Sequence, residues 1–135
     1  QHESSQPGAQ RFAFHRAADH DYSEAGLRRF FAYRDLGIKD ATGGQFGAHV
    51  IRARQAVNGP QGPHRHDLGF QMIYILKGQV TFWYEGQGEM VLNPGDSVLQ
   101  PPGIVHEIRG CTDDMELLEI TMPAEFPTEE AKAAE

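Results

Sequence analysis

The fold is decided by residues 71–108, which read QMIYILKGQVTFWYEGQGEMVLNPGDSVLQPPGIVHEI. Short runs rich in β-branched and aromatic residues alternate in this stretch with clusters of turn-forming residues. The turn clusters are Lys77-Gly78, Glu85-Gly86-Gln87-Gly88, Asn93-Pro94-Gly95 and Pro101-Pro102-Gly103. Because strands spaced about 8–12 residues apart leave no room for helices between them, the pattern predicts a β-sandwich or barrel.

The same pattern continues on both sides of this stretch. The predicted strands cover 28–34, 46–54, 71–76, 80–85, 89–92, 96–100, 104–108 and 116–122. Large side chains occupy both faces of the strand that contains Phe82, Trp83 and Tyr84, so we expect both of its faces to be covered. The sequence therefore predicts one all-β barrel over 28–122.

The two ends of the chain differ from the barrel in composition. Residues 1–27 form a predicted N-terminal extension, and its Gln-, Ser- and Gly-rich start favours a segment that is partly mobile or docked on a neighbouring chain. Residues 123–135 form a predicted tail. Within it, Thr128 is placed to cap a short helix over 129–135.

Composition argues against several function classes. The 135 residues suit one small domain, and 39% hydrophobic with 23% charged residues is typical of a soluble globular protein. A net charge of -7 without a Lys/Arg run argues against nucleic acid as a partner. The longest apolar run, 72–76, is too short to span a membrane. The single Cys111 and the lack of a visible secretory leader favour a cytoplasmic location.

Three of the seven histidines have a spacing that suggests a metal site. His64 and His66 lie two residues apart, and hence on one face of an extended strand. His106 follows the rigid Pro101-Pro102-Gly103 turn, which would fix its approach. Three imidazoles and the amide oxygen of Gln71 are a reasonable ligand set for a divalent transition metal, with one or two positions left for water or substrate.

The position of Gln71 needs a local irregularity in the chain. On a straight strand, Gln71 would face away from His64 and His66, because it lies five positions after His66. The glycine at position 69 permits a bulge or loop. We therefore expect the chain near Gly69 to turn the Gln71 side chain to the same side as His64 and His66.

This pattern resembles the two motifs of the cupin superfamily. The first family motif is Gly, five residues, His-x-His, three or four residues, Glu, six residues and Gly, and it corresponds here to Gly59, His64, His66, Gln71 and Gly78. The second is Gly, five residues, Pro-x-Gly, two residues, His, three residues and Asn, and it corresponds here to Gly95, Pro101, Gly103, His106 and Gly110. Three positions depart from the family: Gly59 is one residue too close to His64, Gly110 replaces Asn, and Gln71 replaces Glu.

The resemblance implies a fold, a metal and an oligomeric state. The expected fold is a double-stranded β-helix barrel with short terminal extensions. One divalent transition metal ion per chain, which could be Fe, Mn, Ni, Zn or Cu, would be held by His64, His66, Gln71 and His106. Single-domain cupins usually form homodimers through a sheet face with exchanged N-terminal arms. Phe30, Phe31 and Tyr33 are the residues that we expect at such a contact.

The neutral Gln71 changes what the site can do. Without a glutamate ligand, the full divalent charge remains uncompensated, which weakens metal binding but favours anionic ligands such as enolates and carboxylates. Gln71 could ligate directly, it could orient a water, or three histidines could act alone, with Asp67 as a remote fourth candidate. Gln71 cannot act as a general base, so the proton acceptor would be a metal-bound hydroxide, the substrate, or a side chain such as His49 or Glu119.

Three functions remain open at this stage. The first is a metal-dependent enzyme acting on a small organic substrate of enolate or carboxylate type, in a dioxygenase-like oxidation, which is the commonest version in the family. The second is a metal-assisted lyase or isomerase in which the ion acts as a Lewis acid. The third is a small-molecule binding or sensing module without turnover.

Overall fold

The computed structural model of the chain describes residues 9–24 and 28–131. Within these residues, the strands are β1 Phe31–Asp35, β2 Gly47–Ala53, β3 Val57–Asn58, β4 His64–His66, β5 Phe70–Lys77, β6 Val80–Tyr84, β7 Gly88–Leu92, β8 Ser97–Leu99, β9 His106–Cys111, β10 Glu116–Met122 and β11 Thr128–Glu130. A short helix, α1, covers Ile38–Ala41, and a 3-10 turn covers Ala17–Asp19. The predicted all-β architecture is confirmed.

The strands form two antiparallel sheets that face each other. The first sheet has the order β1-β2-β10-β5-β8, and the second has the order β11-β4-β9-β6-β7, with β3 paired to β9. The chain passes from one sheet to the other between β4 and β5, again between β5 and β6, and repeatedly afterwards. This alternation produces a double-stranded β-helix, as the sequence predicts.

Inward-facing side chains change from apolar to polar along the strands. On β5, Ile75 and Ile73 are buried in the core, and the next inward position is Gln71. On β10 the corresponding step is from Leu117 to Glu119, which lies opposite His49 of β2. One end of the barrel is therefore filled by the apolar core, while the other end presents polar groups to a cavity.

Three glycines of the sequence motifs are explained by local geometry. Gly78 ends β5 with a φ of 69°, and a Cβ there would lie 2.4 Å from Thr112 Oγ1. Gly95 and Gly103 have φ values of 93° and 79°, which L side chains rarely adopt. These turns set where β6, β8 and β9 begin, and so they fix the strand that carries His106.

The C-terminal helix predicted over 129–135 is wrong within the described residues. Thr128–Glu130 forms β11 and pairs antiparallel with β4, so that Thr128 lies opposite His66. The sequence there favours a helix by composition, but backbone pairing with an available edge strand outweighs local propensity. Residues 132–135 lie outside the described residues, and so do residues 1–8 and 25–27 of the predicted N-terminal extension.

The part of the extension that is described lies against its own chain. The Arg11 amide donates to the Ala41 carbonyl, and Ser23 pairs with Tyr33 through backbone hydrogen bonds. Among residues 9–24 and 28–131, no helix has the length and apolar character needed to cross a bilayer.

The aromatic residues expected at a dimer contact pack inside the barrel. Phe31 is buried, and the partly buried Phe30 packs against the core cluster. Tyr33 also packs against this cluster and lines the cavity. Phe31 and Tyr33 of β1 and Phe30 just before it all contact their own core, and a subunit contact through these rings stays a prediction.

Candidate metal centre

Three histidines converge on the second sheet at the polar end of the barrel. His64 and His66 alternate with the exposed Arg65 on β4, and His64 lies opposite His106 of β9 in the strand register. Their ring centroids are 4.4–5.0 Å apart, and one ligand atom from each lies within 4.8 Å of the others. All three are buried, with 7%, 6% and 3% of their surface exposed. These residues form the histidine wall.

Contacts outside the cluster hold two of these rings so that each could offer Nε2 to a metal. Nδ1 of His106 donates a hydrogen bond to the Ile104 carbonyl at 3.1 Å, which assigns the proton to Nδ1. Nδ1 of His66 hydrogen-bonds to Thr128 Oγ1 at 2.8 Å. Fixing one ring nitrogen in this way orients the other, and it is the usual arrangement of a metal-binding imidazole.

The electrostatic environment keeps these imidazoles neutral. Burial, followed by the influence of His106, Arg28 and His66, lowers the pKa of His64 to about 3. Burial is also the main reason that the pKa of His106 falls to about 4, and it lowers the pKa of His66. Since only the neutral ring can bind a metal ion, the cluster is chemically suited to hold one at neutral pH.

The opposite side of the cavity belongs to the first sheet and has a different chemistry. Gln71 Nε2 donates to Glu119 Oε2 at 2.7 Å, and His49 Nε2 donates to Glu119 Oε1 at 2.7 Å. Gln71 is 3% exposed, and the side chains of Glu119 and His49 are 15% and 31% exposed. These three residues form the amide wall, which is a hydrogen-bonded chain across β5, β10 and β2.

Glu119 governs the charge of the amide wall. Although burial opposes it, the hydrogen bonds from His49 and Gln71 lower the pKa of Glu119, so its carboxylate is ionised. Burial alone would lower the pKa of His49, but the hydrogen bond and the charge of Glu119 outweigh it and raise the pKa. His49 therefore holds a proton more readily than any residue of the histidine wall.

The two walls enclose a cavity of about 500 Å³. This volume suits a small organic ligand. The cavity is lined by both walls, by apolar residues that include Phe31, Ile51, Ile73 and Leu117, and by Arg28. The arrangement can therefore hold a small molecule between a potential metal ligand set and a proton-carrying pair.

The structure brings all four predicted metal ligands to this cavity. Gln71, however, comes from the opposite sheet and not from a bulge on the strand of His64 and His66. Residues 67–69 carry the chain from β4 in the second sheet to β5 in the first sheet. The expected bulge at Gly69 is therefore not needed, because Gln71 faces the histidines from across the barrel. Asp67 is exposed and lies outside the cavity lining, so it is not placed to ligate.

Two residues of the site, and one contact between two others, gave no clear signal in the sequence. Thr128 was interpreted as a helix cap, and Arg28 precedes β1 without any motif. The contact between His49 and Glu119 depends on the register between β2 and β10, which the sequence does not reveal.

A two-sheet β-helix with three buried histidines at one end defines a class of small barrel proteins that could hold a metal ion in their interior. Residues 52–121 match the family described as Cupin domain, which is more than half of the chain. The protein therefore belongs to the cupin domain family.

Comparison with curated proteins adds one named relative. Over 98 residues the chain is 35% identical to quercetin 2,3-dioxygenase of Bacillus subtilis (strain 168), which corresponds to 70% of this chain and 27% of that protein. The chain thus spans about a quarter of the length of this relative.

Solved structures share the fold at low sequence identity. KdgF from Halomonas sp. has a TM-score of 0.68 with 18% identity, covering 84% of this chain and 96% of that one. The polyketide cyclase RemF from Streptomyces resistomycificus has a TM-score of 0.72 with 20% identity, covering 93% and 89%. At these identities the likeness concerns the fold alone.

Proposed function

We propose that this protein is a metal-dependent enzyme that acts on a small organic substrate of enolate or carboxylate type, in a dioxygenase-like oxidation. One observation carries the proposal: three neutral, buried imidazoles lie within 4.8 Å of one another beside a ligand-sized cavity. The 35% identity to a protein named quercetin 2,3-dioxygenase supports an oxidative reaction. The proposed ligands of one divalent transition metal per chain are His64, His66, His106 and Gln71.

Direct ligation by Gln71 is favoured by the direction of its amide. Glu119 is an ionised carboxylate and can only accept, so it holds the Nε2 end of the amide. The Oε1 atom is then the end available to a cation. An Oε1 atom free of other partners suits direct ligation, and the alternative in which it accepts a hydrogen bond from a water is separated by the Gln71→Ala variant described below.

When bound, a redox-active ion would hold a substrate oxygen and allow reaction with O2. The residues of this chain would supply the remaining functions. His49 is the favoured proton acceptor, because neutral His49 that takes a proton forms an ion pair with Glu119 at 2.7 Å. Glu119 itself is a poor acceptor, since both of its oxygens already receive hydrogen bonds.

Oxygen uptake by protein loaded with one metal at a time tests the oxidation. Fe(II), Mn(II), Ni(II), Cu(II) and Zn(II) are each combined with a panel of flavonols and 1,3-diketones, and the His66→Ala variant, which we expect to lose the metal, serves as the control. We expect uptake that requires both the redox-active metal and His66. Substrate-dependent turnover without oxygen uptake would contradict the oxidation.

A non-oxidative lyase or isomerase is the second candidate, and the neutral ligand set favours it. Three imidazoles and an amide leave the full charge of the ion to act on a substrate oxygen, which suits Lewis-acid chemistry. Anaerobic turnover would support this candidate. Tight binding of a ligand without any product would instead support a binding or sensing module.

We also propose that the protein is a homodimer that pairs through the outer face of the first sheet. Tyr74, Leu76 and Leu99 are 41%, 45% and 60% exposed on the neighbouring strands β5 and β8. Leu118 of β10 lies opposite Tyr74, so the apolar surface continues across the sheet. Contiguous exposed apolar surface of this kind is typical of a contact site.

Light scattering coupled to size-exclusion chromatography tests the dimer. Leu99→Lys should convert a dimer to a monomer, because a charge within the contact is costly to bury. Val91→Lys is the matched control, since Val91 is 52% exposed on β7 of the other sheet. A wild-type monomer, or equal effects of the two substitutions, would contradict this contact.

A further inference from the structure

Arg28 places a positive charge inside the cavity, beside the histidine wall. It lies just before β1, it is half-buried, and it is one of two cationic side chains that line the cavity, the other being Lys39. One terminal nitrogen of its guanidinium is 2.6 Å from His64 Nδ1 and 3.2 Å from His64 Nε2. The other terminal nitrogen is 3.5 Å from the Gln61 carbonyl.

This guanidinium has no anionic partner within the described part of the chain. None of the ion pairs formed among residues 9–24 and 28–131 involves Arg28. Burial lowers the pKa of Arg28, but a guanidinium stays charged at neutral pH. A half-buried charge without a counter-ion is energetically costly, so a bound anion would be stabilised there.

Glu107, the carboxylate whose charge acts on Arg28, and Glu119 of the amide wall are already bonded to other groups. Glu107 accepts from Arg109 Nε at 3.1 Å and from the Gly62 amide at 2.9 Å, one contact for each oxygen. Both oxygens of Glu119 are taken by His49 and Gln71. Lys39, the other cationic side chain that lines the cavity, is paired with Glu125. Arg28 is therefore the cation of this cavity that is available to a ligand.

The hydrogen bond between Arg28 and His64 would also be lost when His64 binds a metal. Two N–H groups cannot bond to each other, so Arg28 can donate only to a ring nitrogen that carries no proton. A His64 ring that offers one nitrogen to a metal carries its proton on the other. In that state neither nitrogen of His64 can accept from Arg28, and the guanidinium needs a different acceptor.

We propose that Arg28 binds the carboxylate of the substrate and so selects small organic acids over neutral molecules of the same shape. The proposal rests on the proposed function in assuming that this cavity is the substrate site. The forked guanidinium can donate two parallel hydrogen bonds to a carboxylate. Such a contact would hold the acid between the histidine wall and His49.

Calorimetric titration with matched pairs of probes tests this proposal. Benzoate is compared with benzamide, and pyruvate with pyruvamide, since each pair differs mainly in charge. Wild type, Arg28→Gln, Arg28→Lys and Arg29→Gln are titrated with and without bound metal. Arg29 is the matched control, because it is the adjacent arginine and its side chain is exposed.

We expect wild type to bind at least one acid more tightly than its amide. Arg28→Gln should weaken that acid by about tenfold or more and leave the amide unchanged, because a charge-assisted contact is lost. Arg28→Lys, which keeps the charge without the fork, should fall between Arg28→Gln and wild type. Arg29→Gln should match wild type.

Two results would overturn the role of Arg28. One is unchanged acid binding by folded Arg28→Gln, and the other is a wild type that does not prefer either acid to its amide. Metal content measured on the same samples separates this failure from failure of the proposed metal site. If acid binding depends on Arg28 in a protein that takes up no metal, the anion-binding role of Arg28 is supported and the proposed metal-dependent activity is contradicted.

Discussion

The two walls of the cavity contain the same kind of side chain in opposite electrostatic states. In the histidine wall, imidazoles face one another and Arg28, and burial lowers their pKa values. In the amide wall, His49 faces a carboxylate, and its pKa is raised. Neighbouring charge rather than residue type therefore decides whether an imidazole is ready to bind a metal or to carry a proton.

The strongest test of this comparison removes one imidazole from each wall. His106→Ala should weaken metal binding by more than about a hundredfold, since even the loss of a group that only supports a ligand costs tenfold to a hundredfold. His49→Ala should retain the metal, because His49 contacts Glu119 rather than the other histidines. Competition with a coloured chelator measures both affinities, and equal losses would contradict the division into two walls.

The next effect in size concerns the orientation of the Gln71 amide. Glu119→Gln replaces an obligate acceptor with a group that can also donate, so the Gln71 amide can turn its oxygen away from the histidines. We expect metal binding about tenfold weaker, and a larger loss in Gln71→Ala. Glu116→Gln on the same strand is the control, because Glu116 lies opposite Arg52 away from the cavity. If Gln71→Ala binds metal as wild type does, Gln71 is not a ligand.

The walls should also differ in how they respond to acid. Metal-free protein should lose stability between pH 6.5 and about 4, because the unfolded chain takes protons at His64 and His106 that the folded chain takes only at about 3 and 4. Each of these histidines contributes about 1.4 kcal/mol per pH unit within its window. The contribution of His49 has the opposite sign: it is present below pH 6.5 and is lost as the pH rises through its raised pKa.

Urea unfolding at several pH values measures this difference. His106→Gln should reduce the dependence of the unfolding free energy on pH between 6.5 and about 4. His49→Gln should leave the dependence over most of that window unchanged. The opposite pattern would mean that the charges of the two walls are assigned the wrong way round.

The smallest predicted effect concerns the support of His66 by β11. Thr128→Val removes the hydrogen bond to Nδ1 of His66 but keeps the shape and the strand propensity of the side chain. Metal binding should weaken by about tenfold or less. Thr128→Ser keeps the hydroxyl and should bind metal as wild type does, so equal losses in the two variants would exclude the hydroxyl as the cause.

The histidine wall could be predicted from the sequence because His64 and His66 share one strand and the motif spacing adds His106, although the pairing of His106 with His64 is itself a long-range contact. The alternation along β4 places His64 and His66 on one face, and the Pro101-Pro102-Gly103 turn positions the strand that begins at His106. Gly78, with a positive φ and no space for a side chain, explains why the motif needs a glycine at that position.

The amide wall could not be predicted in the same way, because it depends on long-range strand register. His49 and Glu119 meet only because β2 pairs with β10 in one particular alignment. The helix predicted after Thr128 was wrong for a similar reason, since the pairing of β11 with β4 is a tertiary contact. Local propensity specifies neither a register nor an edge strand that becomes available on folding.

X-ray absorption at the metal edge, combined with anomalous diffraction from protein purified without an affinity tag, tests the central claim most directly. We predict one ion with three imidazole nitrogens and one amide oxygen as protein ligands at about 2.1 Å, located among His64, His66, His106 and Gln71. An ion bound elsewhere, such as at the stacked pair His15 and His20, or no ion after incubation with each of the five metals, would contradict the account.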